Sequence, residues 1–145
     1  MIENIIILLS ENIALTALFA VLILIYVIFE LMQLKSKAFG ISPQQAVYML
    51  NRQKAIFLDI RDGKKYQAGH IVDAISTTVT NLKESTKFLQ KYKTRPIIVY
   101  CDHGNTAKQA IVILKSAGFE KVYNLQGGLK AWKDEKLPIH TKKVS

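Results

Sequence analysis

The chain has 145 residues, 20 Lys and Arg against 11 Asp and Glu, and one cysteine. That length holds one domain with an appendage, and a lone cysteine excludes an internal disulfide. The basic residues all lie within 35–145, which carry a net charge of +12, whereas residues 1–34 carry only the acids Glu3, Glu11 and Glu30. With His70, His103 and His140 as the only histidines, no metal-ligand spacing arises. The basic excess lacks any nucleic-acid motif or interleaved aromatics, so no nucleic-acid partner is expected.

Residues 1–12 form a short N-terminal segment whose Ile2 and Ile5 to Leu9 make an apolar patch, continuing the next helix or lying in a membrane interface. Ile13 to Phe29 is apolar apart from Thr16, and Leu31, Met32 and Leu34 extend the run. About 20 such residues cross a hydrocarbon core of about 30 Å, so residues 13–34 read as a transmembrane helix in contact with the lipid bilayer. A cleaved signal peptide fits less well, because no positive charge precedes the run and no A-x-A site follows it. A buried core helix also fits less well, because the α/β domain already contains its own elements and has no place for a helix apolar all round. Lys35 and Lys37 directly after the span predict, by the positive-inside tendency, a single-pass protein of the cytoplasmic (inner) membrane with its C-terminal part in the cytoplasm. The basic charge of that part suits an anionic bilayer surface or anionic small molecules.

Residues 35–40 read as a linker, 41–140 as a folded domain and 141–145 as a tail containing no further element, with His140 at its polar edge. Phe39 to Ile41 is a candidate first strand. Ser42 and Pro43 at N-cap and N1 open a helix to about Arg52. Ala55 to Ile60 is a second strand, Asp62 to Gln67 a short helix or turn, and Ala74 to Thr77 a third strand. Asn81 with Glu84 predicts a capping box for a helix to about Tyr92. Pro96 to Tyr100 and Val122 to Leu125 are the fourth and fifth strands. Strands alternating with helices predict an α/β fold, a mainly parallel sheet with helices on both faces.

Cys101 falls where the fourth strand gives way to a helix, in the run Tyr100-Cys101-Asp102-His103-Gly104-Asn105-Thr106. Thr106 and Gln109 predict a capping box, Ala107, Ala110, Ile111 and Leu114 an apolar stripe, and Gly118 the helix end. A tight loop and a helix N-terminus offer amides that stabilise a thiolate, the reactive form of cysteine. The bland alternative is a buried structural cysteine. Strand-to-helix loops are where open α/β sheets place ligands, which favours the reactive thiol.

Three further segments carry a resemblance. Leu58-Asp59-Ile60-Arg61 followed by Tyr66-Gln67-Ala68-Gly69-His70-Ile71-Val72-Asp73-Ala74 resembles the D-[VI]-R…[FY]-x-x-G-H-I-x-x-A signature of rhodanese-like domains. CDHGNT, Cys101 to Thr106, is similar to that family's six-residue active-site loop. Leu125-Gln126-Gly127-Gly128-Leu129-Lys130-Ala131-Trp132 is similar to its L-x-G-G-x-x-x-W motif. With the opening Ile41 to Ala46, the match covers about residues 39–140, four motifs in order. The resemblance implies five parallel strands and a sulfurtransferase without cofactor or metal. Cys101 then takes sulfane sulfur from a small anionic donor or a protein persulfide and passes it to a thiol or cyanide-like acceptor. The backbone amides of Asp102, His103, Gly104, Asn105 and Thr106 are expected to bind the anionic sulfur. Asp59 and Arg61 read as loop-supporting, His70 and Trp132 as fold residues, and His103 as either a hydrogen-bond donor to substrate or solvent-facing.

One departure bears on the donor. Better thiosulfate-using members place Arg or Lys in the loop, whereas here Asp102 follows the nucleophile. A lone carboxylate about 5 Å from the donor, at an effective dielectric of about 20, repels each unit of negative charge by roughly 3 kcal/mol. Two other functions compete with sulfur transfer. One is a rhodanese-like module that binds or scaffolds proteins at the membrane. The other is a phosphatase or arsenate reductase with H-C-x5-R, from which this chain departs at Tyr100 and Ala107 and so lacks the arginine fork for an oxyanion.

Overall fold

The computed structural model describes residues 12–37 and 39–141, together with Glu3 and Ile7. The proposed apolar patch at Ile2 and Ile5 to Leu9 lies outside these residues apart from Ile7, as does all but Thr141 of the 141–145 tail. The chain separates into two compact units, Met1–Ala38 and Phe39–Ser145. In the first, α1 runs over Ile13–Lys37. Its stretch Ile13–Met32, 20 residues of mean hydropathy 2.6, has none of its length buried. A helix of that length extends about 30 Å, long enough and apolar enough to cross a bilayer.

The second unit is a three-layer α/β domain. Its elements are β1 (Gly40–Ile41), α2 (Pro43–Gln53), β2 (Ile56–Asp59), α3 (Gly63–Ala68), β3 (His70–Ile71) and β4 (Ile75–Ser76). They continue with α4 (Leu82–Leu89), a 3-10 turn (Gln90–Tyr92), β5 (Ile97–Tyr100), α5 (Ala107–Ser116), β6 (Val122–Leu125), α6 (Gly128–Asp134) and β7 (Ile139–His140). Five strands form one sheet in the order β1-β6-β5-β2-β4, and every neighbouring pair is parallel. The five-stranded parallel sheet flanked by helices is the predicted architecture.

Strand alternation sorts the core into two layers. Ile56, Leu58, Ile60, Ile97, Val99 and Cys101 face α4 and α5, packing on Leu82, Leu89, Ala110 and Leu114. Phe57, Ile98 and Tyr100 face α2 and α6, packing on Ala46, Met49, Leu129 and Trp132. Trp132 is edge-on to Phe57 at 5.2 Å and its indole N–H donates to the Pro138 carbonyl at 2.9 Å. At the α5 end, Gly118 at φ 88 lets its own amide reach the Lys115 carbonyl and the Phe119 amide reach Leu114, the helix stop expected there.

Three local expectations need correction. Ser42 and Gln45 do form a reciprocal capping box, but Thr106 and Asn81 make no side-chain cap. Both sit in helical rather than extended conformation, Thr106 at φ −71, ψ −23 and Asn81 at φ −90, ψ −3, so neither side chain reaches the N3 amide. His140 is not simply a polar end. With Ile139 it forms β7, which pairs antiparallel with His70 and Ile71 of β3 in a separate two-stranded sheet.

Every buried apolar side chain of the two core layers belongs to residues 41–132. Removing residues 1–38 is therefore expected to leave a soluble domain with native far-UV circular dichroism and one cooperative thermal transition. A non-cooperative melt would show that the first unit is needed for folding.

Candidate active site

The strand order reverses between β2 and β5: the chain leaves β2 for β4 on one side and β5 for β6 on the other. Such a switch point opens a crevice at the strands' carboxyl ends. A cavity of about 250 Å³ lies there, lined by Ile60, Arg61, Asp62 and Lys65 after β2 and by Cys101, Asp102, His103, Asn105 and Thr106 after β5. The two motifs, 40 residues apart in sequence, meet because β2 and β5 pair in register from Ile56↔Ile97 to Asp59↔Tyr100.

Cys101 is a free, buried cysteine, 7% exposed, at the floor of this cavity. The Gly104 amide donates to its sulfur at 3.0 Å. It is the loop amide that engages Sγ among the described residues, where the sequence predicted convergence of the whole loop. Gly104 reaches this position at φ 89, and its carbonyl accepts from the Asn124 side-chain amide at 3.3 Å. His103, Asn105 and Thr106 are exposed at the cavity wall.

The loop is fastened from behind by the Gly127-Gly128 turn. Leu129 N–H donates to the Cys101 carbonyl at 2.8 Å, and Lys130 N–H to the Asp102 carbonyl at 3.1 Å. Gly128 sits at φ 60, and a Cβ there would meet the Asp102 carbonyl at 2.7 Å. The close approach of two backbones dictates glycine.

Asp59 and Arg61 join the two sides. Asp59 is fully buried and receives Arg61 Nε at 3.0 and 3.1 Å, Nη2 at 2.7 Å and the Arg61 backbone amide at 3.0 Å. The same Nη2 donates to the Gly69 carbonyl at 2.7 Å, and Nη1 donates to Asp102 Oδ1 at 3.2 Å. Burial works to lower the Arg61 pKa, but the bonds and charge of Asp59, joined by Asp102, outweigh it and raise the pKa above that of free arginine. Beside them the Tyr100 phenol accepts the Ile71 amide at 3.1 Å, and burial together with the Asp59 charge pushes its pKa up, holding it neutral. His70 stacks on Tyr66 at 3.7 Å and donates from Nδ1 to the Tyr66 carbonyl at 2.7 Å, remote from the sulfur cavity's lining.

Asp102 differs from the sequence expectation of a lone repelling charge. Lys65 Nζ donates to its Oδ2 at 2.7 Å while Arg61 holds Oδ1. Burial acts to raise its pKa, but these two cations prevail and hold the carboxyl below the usual carboxylate range. Lys65 is raised in turn, chiefly by its bond to Asp102.

A family model described as the rhodanese-like domain matches residues 42–135. The chain belongs to the rhodanese-like family. It is 35% identical over 102 residues to thiosulfate sulfurtransferase GlpE of Actinobacillus pleuropneumoniae, covering 70% of this chain and 92% of that one. It is 37% identical over 92 residues to GlpE of Pseudoalteromonas translucida, covering 63% and 86%. Among solved structures, the rhodanese-like domain of an Anabaena protein superposes with a TM-score of 0.65 at 29% identity, covering 74% of this chain and 83% of that one. A rhodanese-related protein of Thermoplasma volcanium superposes with a TM-score of 0.61 at 25% identity, covering 70% and 96%.

Two contributors to this rhodanese-like site escaped the sequence reading. Lys65 precedes the family-like Tyr66, and nothing local signals that helix α3 turns it toward the cysteine loop. Asn124 carries a faint signal, as the polar residue in an otherwise apolar strand end, Val122 to Leu125.

Asp59→Asn should destabilise the domain by about 3 kcal/mol, because it removes the buried counter-charge of Arg61 and leaves only the partly exposed Asp102 to balance it; urea unfolding measures this. Gly128→Ala forces either a rearranged turn or a displaced cysteine loop. A loss of about 2 kcal/mol or more is expected, with slower alkylation of Cys101 in whatever still folds.

Proposed function

We propose that this rhodanese-like protein is a membrane-anchored sulfurtransferase that carries sulfane sulfur as a persulfide on Cys101. The observation that carries the reading is the Gly104 amide on the Cys101 sulfur at 3.0 Å, at the floor of a cavity open to small molecules. The curated relatives named thiosulfate sulfurtransferase support the reaction class.

In the first half-reaction the Cys101 thiolate attacks the outer sulfur of the donor. A new S–S bond forms at Sγ, the donor's S–S bond breaks, and the leaving group departs with the electron pair. An acceptor thiolate or cyanide then attacks the outer sulfur and the Cys101 thiolate leaves. The thiolate carries its charge on Sγ, where the Gly104 amide donates; in the persulfide the charge moves to the outer sulfur, which occupies the cavity. Arg61, through Asp59, Gly69 and Asp102, positions the loop from β2 without touching the sulfur.

Helix α1 is the anchor, with the catalytic domain on the cytoplasmic side. Support comes from its apolar exposure over Ile13–Met32 and from Lys35 and Lys37 at its C-terminal end. A reducing compartment also keeps an unpaired thiol available.

On treatment with thiosulfate or a persulfide donor, the domain should gain about 32 Da, one sulfur, whereas Cys101→Ser should gain nothing and should not form thiocyanate from cyanide. Residual turnover in Cys101→Ser would defeat the assignment. Full-length protein should stay with membranes in high salt, since apolar insertion is not screened. In intact spheroplasts Cys101 should resist an impermeant thiol reagent until the membrane is opened; immediate labelling would put the domain outside.

A further inference from the structure

We infer that Asp102 is a selectivity element of the sulfur site: an internal anion that occupies the site's cations and so disfavours dianionic donors such as thiosulfate against singly charged persulfides. The inference rests on the sulfurtransferase reading and adds to it the class of donor. Two cations line the cavity, Arg61 and Lys65. Arg61 is already committed to the buried Asp59 through Nε and Nη2, and the Nη1 it turns toward the loop ends on Asp102. Lys65 Nζ ends on the other oxygen of the same carboxylate at 2.7 Å. Asp62, also in the lining, adds a second negative charge.

The cations at the cavity are therefore fully offset: Arg61 and Lys65 face Asp62 and Asp102, and Asp59 behind them takes up Arg61 as well. A small dianion entering beside Cys101 meets no uncommitted cation among these groups. It must either draw Lys65 off Asp102 or accept that carboxylate as a neighbour. A donor with one negative charge incurs half of that repulsion. The geometry makes the exchange feasible, because the Lys65 and Asp102 side chains are 55% and 35% exposed and the pair can open without unfolding the domain. Asp102 acts on binding, before the S–S bond of the donor breaks. It is a positioning residue rather than a group that handles the sulfur.

The test compares thiosulfate with cysteine persulfide as donors to wild type, Asp102→Asn and Asp102→Asn/Lys65→Met. Asp102→Asn should raise kcat/KM for thiosulfate about fivefold, mainly through a lower KM, and change cysteine persulfide by less than about twofold. Adding Lys65→Met should remove most of that gain, because the freed ammonium is what receives the dianion. Asp102→Ser, which removes the charge without introducing an amide, should give the same order of donors and covers the case in which the asparagine folds poorly. Unchanged or weaker use of thiosulfate in both single variants, or an equal rise for both donors, would overturn the selectivity role while leaving sulfur transfer intact. Failure of either donor to load Cys101 in the wild type would instead remove the sulfurtransferase reading, and the selectivity role with it.

Discussion

A buried carboxylate facing a buried guanidinium holds this site together. Asp59 and Arg61 are two residues apart, yet between them they reach the end of β2, the Gly69 turn and the loop after β5. Taking both charges out of water is costly, and the pair persists because the carboxylate receives four hydrogen bonds in return. That constraint fixes where the cysteine loop can lie. It explains why a charged pair is tolerated between apolar Ile60 and Tyr100, where hydrocarbon packing alone would leave the loop free to shift.

The second fastening is made by backbone alone. The first amides of α6 meet the carbonyls of Cys101 and Asp102, so the loop is held at its strand end by the helix that follows β6. Asn124 adds a grip on the Gly104 carbonyl. Arg61 on one side and the stretch from Asn124 to Lys130 on the other thus converge on the six-residue loop, leaving the Gly104 amide directed at the sulfur. Preorganisation of this kind lets an anionic sulfur be stabilised without moving the protein during transfer.

Much of this is legible in the sequence. The β5 and β6 strands, the α5 stripe and the Gly118 stop all follow from periodicity and glycine placement, because each is a local property. Ser42 caps α2 as its place before Pro43 predicts, since it is extended at φ −72, ψ 161, and Gln45 completes the capping box. Thr106 and Asn81 carry the same pattern but fail, for the loop and turn leading into them are already helical. Pattern alone cannot report the conformation of a cap residue. The β3–β7 pair was missed because two-residue strands show no alternation. The Lys65 contact was missed because it depends on how α3 is rolled against the sheet, and the isolated charge expected at Asp102 became a shared one for that reason.

The recessed setting of Cys101 also has a meaning for pairs of molecules. A disulfide requires two sulfurs about 2.05 Å apart with their Cβ atoms about 4 Å apart. Cys101 is 7% exposed on the floor of its cavity, with the loop residues His103, Asn105 and Thr106 standing around it. Two such recessed sulfurs reach that distance only if the exposed residues around them give way. The same depth that admits a small donor or a protruding thiol hinders an external oxidant from joining two copies of the chain through Cys101. A reactive thiol can therefore be kept at high local concentration with little cross-linking between copies.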